Sequence, residues 1–192
     1  MRPLLITIAF VLAMVAAGLF IVTKAGFSGR PRPGAMESSF ARELRLWSIP
    51  NTYRSMSNPV ACSDQVIAEA RAHWADHCAT CHANNGSGDS LFGRTMSPPP
   101  PDMRRPATQT QSDGEIYYTI NNGVRLTGMP AFGDPGDRDM DSWKLVCLIR
   151  HLPRLSPDEV QQMKKLNPKT PDEIEEERQE EEFLNGGQGK GK

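Results

Sequence analysis

The 192-residue chain has no surplus of charge to define it: 22 Lys and Arg stand against 23 Asp and Glu, a net charge of -1. That excludes a globally basic nucleic-acid binder. It also lacks any nucleophile–base constellation and any carboxylate pair that stands out. Nothing therefore points to chemistry on a bound substrate. Long-period repeats are missing too. Cysteine is scarce, with four in all, and only two share a motif, so the second C-x-x-C of a paired zinc framework is absent. Apolar residues make up 38% and the mean hydropathy is -0.49. Most of the chain is water-facing, and its length suits one domain with appendages or two very small domains.

The charge is unevenly spread. Residues 24–60 hold six Lys/Arg against two acids, whereas residues 171–184 hold eight acids against Arg178 alone. Leu4 to Val22 is an uncharged run of 19 residues. As a helix it would cross a hydrocarbon core of roughly 30 Å. The rival is a cleaved signal peptide, whose apolar core is usually shorter, about 7–15 residues. Residues 1–24 are read as a transmembrane anchor or uncleaved signal. Positive charge by itself misorients this span, because Lys24, Arg30 and Arg32 outweigh Arg2 and the amino terminus.

Residues 25–61 read as a Gly/Pro linker followed by an amphipathic helix. Met36, Phe40, Leu44 and Trp47 recur at i, i+4, i+8 and i+11, one apolar stripe. That helix either packs on the domain or lies on a bilayer, helped by Arg42 and Arg45. Ser63 and Asp64 cap a helix whose apolar face is Val66, Ile67, Ala70 and Trp74, running directly into Cys78. Residues 83–111 lack periodicity, and Pro98 to Pro101 exclude helix and central strand there. This long loop needs something other than backbone ladders to hold it. Ser112 and Glu115 form a capping box for a short helix ending at Asn122-Gly123. A helix from Asp139 to Leu152 follows, stopped by Pro153. Ser156-Pro157-Asp158-Glu159 and Thr170-Pro171-Asp172-Glu173 each announce a further helix. Residues 156–192 thus form a helical acidic extension with a flexible end from Gly186.

Cys78-Ala79-Thr80-Cys81-His82 is C-x-x-C-H, the c-type haem attachment motif. Two thiols three positions apart can reach the two vinyl groups of one porphyrin, with the adjacent histidine under the iron. A thioredoxin-like dithiol expects a βαβ setting, which the helical surroundings do not supply.

Residues 62–155 carrying this motif read as one domain, and about residues 62–153 resemble the class I c-type cytochromes. Beyond the motif, the resemblance rests on Ala70 and Trp74 before it, on Trp143-Lys144-Leu145-Val146 and Arg150-His151-Leu152 in the last helix, and on Gly128-Met129-Pro130-Ala131-Phe132. Leu148 and Ala83 depart from it, where tyrosine and glycine are common in the family. The resemblance implies an all-α fold of three to five helices around one covalent haem c. It implies attachment through Cys78 and Cys81, with His82 and Met129 as the axial iron ligands. It also implies that Ala70 and Trp74 let the first helix cross the last closely.

Met96 and Met103, in the Pro-rich loop, compete with Met129 for the iron. Met140 suits core or surface, and Met163 lies in the tail. His73 and His77 precede the motif and are poorly placed for the opposite face, and His151 reads as a surface residue. His82 is expected to donate its free ring N–H to a backbone carbonyl of the Pro98–Pro101 run. Tyr117, Tyr118, Arg125 and Trp143 are weaker candidates for contacts with the haem edge. Cys62 and Cys147 read most simply as ordinary small residues, although an oxidising compartment would allow them to pair.

The resemblance implies an electron-transfer protein rather than an enzyme, with redox proteins as donor and acceptor, the membrane as anchor, and no nucleic acid or small-molecule substrate. It places the haem domain on the periplasmic side of a bacterial inner membrane, which settles the orientation that charge leaves pointing inward. A fixed haem subunit of a larger oxidase or dehydrogenase is the alternative. A haem sensor is a third reading and would require loss of methionine ligation.

Overall fold

The computed structural model describes residues 2–25, 32–133 and 139–184. The expected linker residues 26–31 and the flexible end from Gly186 lie outside them. The fold is all-helical, with no strand among the described residues. Helix α1 spans Arg2–Ala25, α2 Ala35–Ser48, α3 Asn51–Arg54, α4 Asp64–His73 and α5 Ala79–His82. Then come α6 at Pro106–Gln109, α7 at Asp113–Asn122, α8 at Met140–His151, α9 at Pro157–Lys164 and α10 at Pro171–Leu184. Helix α1 is long and apolar enough to cross a membrane, a test that a signal sequence also passes.

The caps form as the sequence predicts. The Ser63 hydroxyl accepts from the Val66 N–H at 3.3 Å. Ser112 and Glu115 exchange bonds of 3.2 and 2.8 Å at the start of α7. Ser156 and Glu159 do the same at α9 with the same two distances. Each box satisfies N–H groups that the first helical turn leaves without partners.

The core is built where α4 packs against α8. Ala70 is buried on α4, and a methyl is small enough for close helix approach. Trp143, Leu145, Val146, Leu148 and Ile149 of α8 fill the interior, joined by Ile116, Tyr117 and Ile120 of α7. The Tyr117 and Trp143 rings stack at 4.1 Å, and Tyr118 meets Tyr53 edge-on at 4.9 Å. These aromatics, weak candidates for haem contacts, join one helix to the next. Helix α3 lies so close to α7 that a methyl group at Gly114 would sit 1.7 Å from the Tyr53 carbonyl oxygen.

The Pro-rich stretch is held by side chains and isolated backbone bonds. Met103 donates its N–H to Gly86 at 2.9 Å and buries its thioether in the core. Gln109 bridges the Met103 and Ile149 carbonyls at 2.7 and 2.8 Å. Within this stretch Pro106 opens the single turn α6, which the lack of periodicity concealed. Arg150 then ties α8 to α6 and α7 through the Gln109 carbonyl at 2.8 Å and Asp113 at 2.7 Å.

Three features correct the sequence reading. Cys62 and Cys147 form a disulfide, with Cα atoms 5.3 Å apart. The chain ahead of α4 lies along α8, where the Asn58 amide also donates to the Trp143 carbonyl at 3.0 Å. His151 is half-buried rather than a free surface residue, because α9 folds back over it. Its Nε2 lies 3.0 Å from Glu159 Oε1, which also pairs with Arg71 at 2.8 Å. Burial raises the Glu159 carboxyl, but bonds from Ser156 and His151 outweigh it, so its pKa lies below the ordinary value. Met163 of α9 is fully buried in the same core cluster. The core therefore continues beyond the last helix of the expected domain.

The disulfide closes a loop across 85 positions, which removes much freedom from the unfolded chain. Replacing both Cys62 and Cys147 by Ala is expected to cost about 2–5 kcal/mol in denaturant unfolding. Reduction of the unsubstituted protein should cost a similar amount.

Candidate haem site

Helix α4 does not run straight into the motif. It ends at His73 and continues as a π-helical turn, Trp74–Cys78, before α5 carries Ala79–His82. The Ala79 N–H reaches back to the Trp74 carbonyl, across five residues. Such a turn shifts the facing of everything after it by one residue, and π turns recur at functional sites. No residue type in Trp74–Cys78 announces it.

Cys78 and Cys81 are both free and half-buried. Burial, reinforced by the neighbouring Cys81, pushes the Cys78 thiol up to about 12. Cys78 therefore stays a neutral thiol, unlike the low-pKa thiolate of a redox dithiol. Among the described residues no group of three or more His, Cys, Asp or Glu is arranged to hold a metal ion by itself.

His82 is buried, 9% exposed. Burial lowers its pKa to about 4, so the ring is neutral at ordinary pH. Trp74 backs it, with ring centroids 5.8 Å apart. Its Nδ1 is buried and meets no hydrogen-bond partner. This corrects the expected bond to the Pro98–Pro101 run. The Pro100 carbonyl instead closes over Gly88, where an added methyl would meet it at 2.4 Å. A neutral buried imidazole with an unsatisfied nitrogen costs about 1–3 kcal/mol. Together with two unpaired thiols, Cys78 at the end of the π turn and Cys81 on α5, it fits a porphyrin-bound iron.

Ala83 follows at φ 60° and ψ 157°, a region that is essentially glycine's. Its carbonyl accepts the Trp74 indole N–H at 3.1 Å. The bond holds the strained residue and sets the Trp74 ring behind His82.

Met129 lies on a separate loop. The Val124 N–H donates to the Met129 carbonyl at 3.0 Å, and the Met129 N–H donates to the Thr127 hydroxyl at 3.2 Å. Leu126, at the turn of this loop, takes φ 63°. A methyl at Gly128 would come within 2.4 Å of Met96 Cε. Met96 therefore packs against the residue just before Met129. From there the chain leads back to α5: Gly93 is so near Cys81 that an added methyl would meet its carbonyl at 2.5 Å. The Ser90 hydroxyl donates to the Thr80 carbonyl at 2.6 Å. Of the rival methionines, Met103 is committed to the core and Met96 stands beside the Met129 loop. His73 and His77 face each other at 5.0 Å on the helix ahead of the motif.

Residues 65–146 match the family model described as cytochrome C oxidase, cbb3-type, subunit III. The chain carries a c-type cytochrome domain. Its two thiols and buried histidine sit within the matched residues, as does Met129, and such a domain binds haem for electron transfer. No curated protein matches the chain. Helices α4 and α8 both supply most of their length to the match.

The strain at Ala83 yields a test. Ala83→Gly should raise stability by about 1 kcal/mol, the relieved strain less the added freedom of glycine. Chemical denaturation of the haem-loaded protein measures this, and its visible spectrum should not change.

Proposed function

We propose that the chain is a membrane-anchored monohaem cytochrome c that passes single electrons between redox proteins in the periplasm. The observation that carries this reading is His82: buried, neutral and with Nδ1 unsatisfied, on one stretch of helical backbone with two free thiols. Cys78 and Cys81 would hold the porphyrin through thioether bonds. His82 and Met129 would hold the iron. Bound haem iron supplies a one-electron couple, and a histidine–methionine pair favours a high potential. Trp74 and the Ala83 carbonyl keep the His82 ring in place. With both residues bound, the iron would keep no position for a substrate, which would suit electron transfer.

Helix α1 serves in this reading as a retained single-pass anchor in a bacterial inner membrane. The body of the protein lies on the periplasmic side. The Cys62–Cys147 disulfide supports that side, since such bonds persist in oxidising compartments.

A second reading has a specific observation behind it. The matched family is described as an oxidase subunit, and α10 projects with no buried residue. In that reading the chain is a fixed haem subunit of a larger membrane oxidase or dehydrogenase. Gentle solubilisation of the membranes separates the two. A carrier runs alone, whereas a subunit runs with its partners at defined stoichiometry.

The ligand assignment is tested by two variants. Met129→Ala should abolish the weak far-red sulfur-to-iron band of the oxidised protein and open the reduced iron to rapid carbon monoxide binding. Met96→Leu should leave both properties unchanged. The reverse pattern would give the iron to Met96.

A further inference from the structure

Helix α2 carries an apolar stripe that the protein does not cover. Met36 is 88% exposed, Phe40 70%, Leu44 50% and Trp47 78%. No residue of the helix is buried. Four large apolar side chains on one face of a helix are a patch that calls for a partner. The packed-helix alternative of the sequence reading therefore fails for this stripe.

The helix is nevertheless firmly seated. Arg45 donates to the Thr119 hydroxyl on α7 at 3.1 Å. The Arg54 guanidinium donates to the Leu46 carbonyl. Ile49, just past the end of the helix, is buried. At about 100° per residue, Arg45 lies nearly opposite the stripe. The polar side thus faces the cytochrome domain, and the apolar side faces away from it.

We propose that α2 lies in the membrane–water interface, its Met36, Phe40, Leu44 and Trp47 face sunk into the lipid, and holds the cytochrome domain against the bilayer in one orientation. This rests on the reading of α1 as a retained anchor. Continuity with α1 selects lipid over protein as the occupant. Nine residues separate Ala25 from Ala35, so the two helix ends lie within about 35 Å by any path. The surrounding charge agrees: with Arg45 and Arg54 bonded within the protein, residues 24–60 still carry four basic against two acidic side chains, which suits anionic headgroups. Trp47 has the amphipathic ring enriched at such interfaces.

Trp47 reports on its own environment. The chain has three tryptophans, and Trp74 and Trp143 are buried. The full haem-loaded chain is reconstituted into vesicles of phosphatidylcholine with phosphatidylglycerol, with Trp47→Phe as the background to subtract. Brominated-chain lipids should reduce the Trp47 emission by about half or more, because such a helix sits within reach of the upper acyl chains. Iodide in the water should quench it little. Replacing Phe40 and Leu44 together by Ser should leave the chain floating with the vesicles and make Trp47 accessible to iodide. If the chain floats but Trp47 is open to iodide and untouched by brominated lipid, the anchor stands and the α2 proposal falls. If Trp47 is shielded from both reagents in a concentration-dependent way, a second copy covers the stripe and the proposal falls. A chain that does not float overturns the anchor reading, and α2 with it.

Discussion

A side chain no larger than a methyl at Ala70 lets α4 lie against α8, and the remaining parts take their places from that contact. It sets Trp74 in the core and so positions the indole that bonds the Ala83 carbonyl. It brings the residues ahead of α4 along α8, where Cys62 meets Cys147. It also leaves Arg71 of α4 and His151 of α8 near enough to share Glu159. A bulkier residue at position 70 would act on all three at once, since close-packed interiors pass a local misfit on to their neighbours.

The proposed haem site draws on parts with different degrees of support. Cys78, Cys81 and His82 stand on continuous helical backbone behind the core. Met129 stands on a loop kept in shape by its own hydrogen bonds and by the Met96 tip against Gly128. Between them runs Ser90 to Met96, bonded to the carbonyls of α5 at one end and touching Gly128 at the other. Electron transfer asks little movement of its site, and on the proposed ligand set this arrangement would supply a fixed part and a braced part. The burial that keeps His82 neutral would serve the same end, because only the unprotonated ring can ligate iron.

Legibility in the sequence followed the range of each interaction. The C-x-x-C-H motif, the caps at Ser63, Ser112, Ser156 and Thr170, and the α2 stripe all depend on residues within a few turns of one another. They could be read directly. The stop at Pro153 and the end at Asn122-Gly123 belong with them. The Cys62–Cys147 bond, the burial of Met163 and the pairing of His151 with Glu159 join separate elements, and no local pattern encodes which elements meet. The π turn at Trp74–Cys78 is local yet was also hidden. It reflects the demand of fitting α4 and the motif to the core at once, rather than any propensity of those five residues. The departure at Ala83 was visible as an odd residue beside the motif. Its meaning, a glycine-like backbone conformation occupied by alanine, lies in the folded backbone.

By itself the sequence determined that there is a haem-binding motif, where the capped helices start, and that the N-terminal segment is apolar over the length of a membrane span. These follow from covalent spacing and from the backbone needs of single helices. Only the tertiary structure decided that the first tail helix belongs to the core, that the two solitary cysteines are bonded, and that the α2 stripe is left uncovered. Each of those outcomes depends on which surfaces remain after α4 and α8 have packed, and that is a property of the whole fold rather than of any segment in it.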